Sequence, residues 1–183
     1  MKKLALIFPG IGYHCDKPLL YYSKKLAAKA GYEIREVNYG GFPSNVRGDA
    51  EKMQKCFDMA LSQSEEILSD VDLNGYDDVL IIGKSVGTAV AGAIAQNHRL
   101  RARFILYTPV KQTFSFSFGE AIVFHGTSDP WAKTPVIKDA CEKNGIPVYI
   151  TENANHSLET GDIILDLENI TTVMKITEEY IKS

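Results

Sequence analysis

DVLIIGKSVGTAVA, at residues 78–91, places an apolar run, a serine between two glycines and a run of small residues in direct succession. Residues 79–82 are apolar without alternation, as in a strand that is buried on both faces of a parallel sheet. The small residues after Val86 are typical of a helix that packs closely against such a sheet. Ser85 is therefore predicted to lie at a sharp strand-to-helix turn, where flanking glycines relieve the crowding.

The same turn has two other interpretations. The sequence GKS at 83–85 resembles the end of the phosphate-binding pattern G-x-x-x-x-G-K-[ST], but the first glycine of that pattern would fall on Asp78. The positions between them are strand residues, which excludes a glycine-rich phosphate loop. The two glycines could also serve only to let a helix approach a strand. The strand before Ser85 and the helix after it favour a nucleophile turn instead.

The composition is that of an ordinary globular protein, with 183 residues, 45% hydrophobic, 23% charged and a net charge of -3. This length can bury a sizeable core without disulfide or metal staples, so we expect residues 1–183 to form a single domain. The weakly acidic charge argues against nucleic-acid binding, and no apolar run reaches the ~18 residues of a membrane span. Three cysteines without C-x-x-C spacing predict neither disulfides nor zinc, and favour a reducing, cytoplasmic location.

Strand and helix patterns alternate along the whole chain. Strands are predicted at 4–8, 32–37, 79–82, 104–107, 121–124 and 148–150, and helices around 18–30, 49–68, 86–97, 133–143 and 163–182. This order predicts an α/β fold of three layers, with a doubly wound, mostly parallel sheet of about six strands and helices on both faces. The side chains that carry chemistry should then lie at the C-terminal ends of the strands.

Residues 113–118 alternate between polar residues and phenylalanine, which is a strand-like pattern between two stronger strand candidates. We therefore predict a loop or an edge hairpin near the site. The whole segment from Pro109 to Gly119 is too short for a large lid, so an open site is expected.

A serine hydroxyl becomes a nucleophile only with a base to take its proton and a third group to orient that base. Asp129 follows the predicted strand at 121–124, within HGTSDP at 125–130. His156 follows the last predicted strand, within NHSL at 155–158. The order serine, aspartate, histidine, each after a successive strand, is the chain order of the α/β-hydrolase triad.

In these three motifs the sequence resembles the α/β-hydrolase superfamily, and in particular its small, lidless members of the dienelactone-hydrolase-like and short-esterase type. The resemblance spans nearly the whole chain. It implies that Ser85 is the nucleophile, His156 the general base and then acid, and Asp129 the carboxylate that orients the imidazole. It further implies a small ester or thioester as substrate, an acyl-serine intermediate, and no cofactor or metal.

The same resemblance implies an oxyanion hole made of two backbone N–H groups. One should belong to Val86, directly after the nucleophile. The other should come from the loop after the first strand, where Pro9-Gly10-Ile11 stands in place of the usual His-Gly-X. Ile11 is therefore the candidate donor, and Gly10 allows close approach and is a pocket candidate.

Three further side chains become pocket candidates through their place in the sequence: His14, Lys84 and Trp131. We expect Lys84, at the variable position of the nucleophile turn, to face solvent or to pair with a carboxylate. Recognition of an anionic substrate is the weaker alternative. His125 precedes the predicted acid on its own loop, and we interpret it as a structural hydrogen-bonding residue.

The leading hypothesis from the sequence is a serine hydrolase of the carboxylesterase or thioesterase kind, acting on a small molecule and not on nucleic acid or a membrane. Two alternatives stay open. The chain could be a binding protein that keeps the hydrolase fold with a degenerate site, or an acyltransferase in which an alcohol or amine replaces water.

Overall fold

In the computed structural model, which describes residues 1–183, six parallel strands form one sheet in the order β2-β1-β3-β4-β5-β6. Every strand predicted from the sequence is present, and its ends differ from the prediction by at most two residues. The strands are β1 (Lys3–Phe8), β2 (Glu33–Glu36), β3 (Asp78–Lys84), β4 (Arg103–Tyr107), β5 (Glu120–Gly126) and β6 (Val148–Thr151).

Helices cover both faces of the sheet, so the predicted three-layer architecture is confirmed. On one face α1 and α5 pack against each other and against the sheet, and α2, α3 and α4 contribute to the core on the other face. No helix has the length and the hydrophobicity that crossing a bilayer requires. The helices are α1 (Pro18–Lys29), α2 (Ala50–Leu68), α3 (Val86–Asn97), α4 (Thr134–Lys143) and α5 (Ile163–Lys182).

The apolar run of β3 lacks alternation because both of its faces are buried. Leu80 and Ile82 belong to the core under α1 and α5, whereas Val79 and Ile81 belong to the core under α2 and α3. The chain leaves β1 towards β2 on one side and returns to β3 on the other, so the strand order reverses between β1 and β3. Ligands of open α/β sheets bind in the crevice beyond the strand ends at such a reversal.

The alternating segment at 113–118 is a loop and not a strand, as predicted. A 3-10 turn at Lys111–Ser115 begins it, and its phenylalanines pack against the core beneath α3. Phe116 lies so close to Gly92 of α3 that a side chain at residue 92 would overlap its ring. Phe118 packs edge-on against Phe104, with 4.9 Å between ring centroids. The alternation therefore reflects an irregular loop that buries aromatic rings, not a pleated strand.

Candidate active site

The turn between β3 and α3 has the sharp, crowded geometry that the sequence predicts. Ser85 has φ 56° and ψ -125°, a conformation that costs free energy for any residue other than glycine. A Cβ at Gly83 would lie 2.9 Å from the Cα of Thr88, and one at Gly87 would overlap the carbonyl oxygens of Phe8 and Pro9. Both glycines are thus required by close backbone approach, and the side chain of Ser85 is presented above the sheet.

The three residues predicted as a triad form one continuous hydrogen-bond chain. Ser85 Oγ lies 2.8 Å from His156 Nε2, and His156 Nδ1 lies 2.7 Å from Asp129 Oδ2. The second carboxylate oxygen, Asp129 Oδ1, accepts a 2.8 Å hydrogen bond from the backbone N–H of Trp131. Each of the three side chains follows the end of a different strand, β3, β5 or β6. The arrangement can transfer the proton of the Ser85 hydroxyl to an oriented imidazole.

Neighbouring loops hold the His156 backbone in place. Thr108 Oγ1 donates a 3.0 Å hydrogen bond to the carbonyl oxygen of His156. The N–H of Ser128 donates to the carbonyl oxygen of Ala154 at 2.9 Å, which ties the loop of His156 to the loop of Asp129. Gly126 lets these loops approach, because a Cβ there would overlap the same carbonyl. The imidazole position is thus fixed by contacts from two other strand ends.

Burial and hydrogen bonding set the charge states of the site. Burial alone would raise the pKa of Asp129, but the hydrogen bonds and charge of His156 and the N–H of Trp131 hold it below its usual range. Burial lowers the pKa of His156; the hydrogen bond to Asp129 opposes this and the charge of Lys84 adds to it. At neutral pH the aspartate is therefore ionised and the imidazole is neutral, as a general base must be.

Two backbone N–H groups near Ser85, those of Ile11 and Val86, make no hydrogen bond within the protein. The turn that carries Ile11 is pressed against the nucleophile, since a Cβ at Gly10 would lie 3.1 Å from the Cβ of Ser85. Reciprocal backbone hydrogen bonds between Gly10 and Tyr13, at 3.1 and 3.2 Å, close this turn. Both amides predicted for the oxyanion hole are thus free of internal partners, and their donation to an oxyanion stays a prediction.

Comparison with solved structures identifies the fold. An α/β serine hydrolase homologue from Coxiella burnetii superimposes with a TM-score of 0.70, over 97% of this chain and 84% of that chain, at 13% identity. Est1E from Butyrivibrio proteoclasticus, solved with ferulic acid bound, gives a TM-score of 0.72 over 98% and 88% of the two chains, at 11% identity. The chain has the α/β-hydrolase fold.

An α/β serine hydrolase without a lid, from Xanthomonas campestris, has the same fold, with a TM-score of 0.63 over 98% of this chain and 81% of that chain at 10% identity. No protein family model and no curated protein sequence matches the chain. The sequence motifs predicted an α/β-hydrolase fold, and these comparisons confirm that fold.

Lys84 corrects the sequence-based expectation that it would face solvent or pair with a carboxylate. The residue is only 1% exposed, and no carboxylate lies within 4.0 Å of its ammonium group. Its Nζ lies instead 4.9 Å from the centroid of the Tyr13 ring. Burial lowers the pKa of Lys84 to about 7, although the negative charge of Asp129 raises it. The expectation was wrong because Tyr13, which is far from Lys84 in sequence, lies on the loop after β1 and covers the end of the neighbouring strand β3.

The other pocket candidates differ in outcome. His14 is exposed, and its Nδ1 accepts a hydrogen bond from the backbone N–H of Asp16 at 3.3 Å. It lines none of the larger cavities, and its place in a substrate pocket stays a prediction. Trp131 does line a cleft of 420 Å³, and its ring centroid lies 5.6 Å from that of His156.

His125 is fully buried beneath the acid. Its Nε2 pairs with Thr134 Oγ1 at 3.1 Å, which agrees with its interpretation as a structural residue. Its Nδ1 has no hydrogen-bond partner and lies 3.8 Å from Asp129 Oδ2. Burial lowers the pKa of His125, so the ring is neutral and adds no charge to the site at neutral pH.

A cavity of 170 Å³ beside the nucleophile turn is lined by residues that the sequence did not reveal as functional. Val86 and Ala89 of α3 contribute to it, together with Met53 and Phe57, which are one turn apart on α2. Only the folded chain brings α2 over the turn, and the sequence shows these two residues simply as the apolar face of a helix. No group of three or more histidine, cysteine, aspartate or glutamate side chains is arranged to bind a metal ion.

Proposed function

We propose that the protein is a serine hydrolase that cleaves a small ester or thioester through an acyl-Ser85 intermediate. The observation that carries this proposal is the continuous hydrogen-bond chain from Ser85 Oγ through His156 to Asp129, with distances of 2.8 and 2.7 Å. The α/β-hydrolase fold supports it, because several similar structures are serine hydrolases or esterases. The aligned side chains weigh against a degenerate site in a binding protein.

In the first half of the reaction, His156 Nε2 takes the proton of Ser85 Oγ as that oxygen attacks the carbonyl carbon. The carbonyl oxygen gains the negative charge and accepts hydrogen bonds from the N–H groups of Val86 and Ile11. Asp129 keeps the Nδ1–H tautomer of His156 and stabilises the imidazolium that forms. The imidazolium then gives its proton to the leaving oxygen or sulfur, and the acyl group remains on Ser85.

In the second half, water takes the place of the leaving group. His156 removes a proton from this water, the resulting oxygen attacks the acyl carbon, and the same two N–H groups hold the second oxyanion. The proton returns to Ser85 Oγ as the acid product departs. The side chain of His156 is 16% exposed, which gives water access to the imidazole.

Hydrolysis of short-chain p-nitrophenyl esters tests the proposal. We expect Ser85→Ala to lower kcat by about 10³-fold or more, because no other nucleophile is aligned with the base. Ser128→Ala is the matched control, since Ser128 is exposed and its side chain makes no hydrogen bond. Added alcohols would reveal acyl transfer through ester products. Equal turnover by wild type and Ser85→Ala would contradict the proposal.

A further inference from the structure

Two contiguous openings are lined by residues that follow Ser85 or Asp129 directly in sequence, on the face of the sheet that α2 and α3 cover. The Val86 cavity, of 170 Å³, is lined mainly by Met53, Phe57, Val86, Ala89, Val110 and Phe116. The Trp131 cleft, of 420 Å³, is lined among others by Arg47, Asp49, Lys111, Gln112, Pro130 and Trp131. Both openings share Met53, Val110 and Gln112, so they meet along α2 and the loop after β4.

The two openings differ in which part of the triad they border. The Val86 cavity adjoins the residue after the nucleophile and includes no residue from the loops that carry Asp129 and His156. The Trp131 cleft includes the residue pair directly after Asp129, and its Trp131 ring lies beside the His156 ring. One opening therefore lies on the nucleophile side of the site and the other on the base side.

The geometry of acyl transfer determines which opening receives the acyl chain and which receives the leaving group. The carbonyl carbon bonds to Ser85 Oγ and its oxygen points to the N–H of Val86, while the leaving oxygen must approach His156 Nε2 to receive a proton. The leaving group is thereby directed towards the base side and the acyl chain away from it. The acyl chain then extends into the Val86 cavity.

The lining and the size of the Val86 cavity define the acyl chain that fits. Aliphatic and aromatic side chains form most of its wall, and its three polar members, Gln54, Gln112 and Ser115, are exposed. A dry apolar cavity of about 150 Å³ in a protein core accommodates a molecule the size of benzene. The cavity therefore holds about six carbon atoms. Phe116, which is fixed against Gly92 and lies 6.1 Å from the Phe57 ring, limits a longer chain.

We propose that the Val86 cavity is the acyl site of this protein, and that it selects esters of aliphatic acids of about four to six carbons, with the alcohol group seated in the Trp131 cleft. This assignment rests on the proposed serine hydrolase function. A third opening, of 420 Å³, is lined by residues of α1 and α5, such as Tyr22 and Ile163, and by Ser157 and Leu158, which follow His156. It shares no residue with the Val86 cavity, so it has no part in the acyl site.

The test is the dependence of kcat/KM on chain length for p-nitrophenyl acetate, butyrate, hexanoate, octanoate and decanoate, measured with the full chain. Each methylene group that becomes buried should raise kcat/KM about fourfold. We expect a rise of at least tenfold from acetate to the optimum at butyrate or hexanoate, and a fall at decanoate. Ala89→Met fills the cavity and should move the optimum to acetate.

A second variant tests the assignment in case Ala89→Met does not fold. Ala89 is buried, whereas Met53 is partly exposed and tolerates substitution better. Met53→Ala opens the cavity towards the cleft and should move the optimum to octanoate. Tyr22→Ala, in the opening between α1 and α5, is the matched control and should leave the chain-length profile unchanged. Circular dichroism establishes that each variant is folded before it is assayed.

The outcomes separate the acyl site from the function on which it rests. Opposite shifts of the optimum in Ala89→Met and Met53→Ala support the assignment. Ester hydrolysis with a flat profile, or a profile that changes only in Tyr22→Ala, would overturn the acyl site and leave the hydrolase function standing. Absence of turnover with every ester, together with no fluorophosphonate adduct on Ser85, would overturn both.

Discussion

Lys84 affects the base without touching the reacting atoms. Its side chain is buried next to Ser85, with Nζ 4.9 Å from the centroid of the Tyr13 ring. Attraction to the face of an aromatic ring partly replaces the lost hydration of a buried cation. The charge of Lys84 also acts on His156, because it disfavours a second positive charge on the imidazole.

The pH dependence of Lys84→Met tests this electrostatic link. The general base must be neutral, so kcat/KM is retained above the pKa of His156 and lost as the pH falls through it. Lys84 is protonated in that acidic range, since its own pKa is about 7, and its charge lowers the pKa of His156. Methionine keeps the packing volume without the charge. The pKa of His156 should rise, and the acid limb of kcat/KM should move to higher pH.

Lys17→Met is the matched control for this experiment. Lys17 also lies over the Tyr13 ring, at 5.4 Å from its centroid, but it is not among the groups that shift the pKa of His156. We expect its acid limb to coincide with that of the wild type. An acid limb that is the same in Lys84→Met and wild type, or that moves to lower pH, would refute the link.

At the scale of elements, the site depends on how closely α3 meets the end of β1. Gly87, in the first turn of α3, lies directly against the carbonyl oxygens of Phe8 and Pro9. The same contact places the loop after β1, with the Ile11 N–H, beside Ser85. Strand β1 is paired with β2 on one side and β3 on the other, so its backbone cannot move aside without loss of sheet hydrogen bonds.

Gly87→Ala should therefore destabilise the fold by about 1–3 kcal/mol, because an added Cβ forces α3 away from β1. Urea-induced unfolding measures the loss of stability, and the proposed esterase activity should fall as well, since the two proposed oxyanion donors move apart. Gly119→Ala is the control, because a Cβ at residue 119 meets no atom within 4 Å. A Gly87→Ala variant with wild-type stability would contradict the close contact between α3 and β1.

For the molecule as a whole, the sequence predicts the fold well because the residue pattern of each strand indicates which of its faces are buried. Residues 79–82 show by their continuous apolar character that both faces of β3 are buried. Asp129 and His156 could be singled out because parallel strands bring their C-terminal ends to one edge of the sheet, where loops that are far apart in sequence meet. Fold class and the three triad positions are therefore accessible from local patterns and chain order.

Other features of the site depend on contacts that no local pattern records. The burial of Lys84 at the end of β3 is produced by Tyr13, and α1, β2 and α2 lie between Tyr13 and β3 in the sequence. Likewise, Met53 and Phe57 become cavity residues only because α2 packs beside α3.

The proposed activation of Ser85 by His156 makes this serine reactive towards an alkyl fluorophosphonate. The intact mass of the protein after this reaction, followed by peptide mapping, tests the proposal directly. The serine oxygen attacks phosphorus and fluoride leaves, so we expect one phosphonyl adduct per chain, on the peptide that contains Ser85, and no adduct in Ser85→Ala. An adduct of the same extent in Ser85→Ala, or a wild-type chain that stays unmodified, would contradict it.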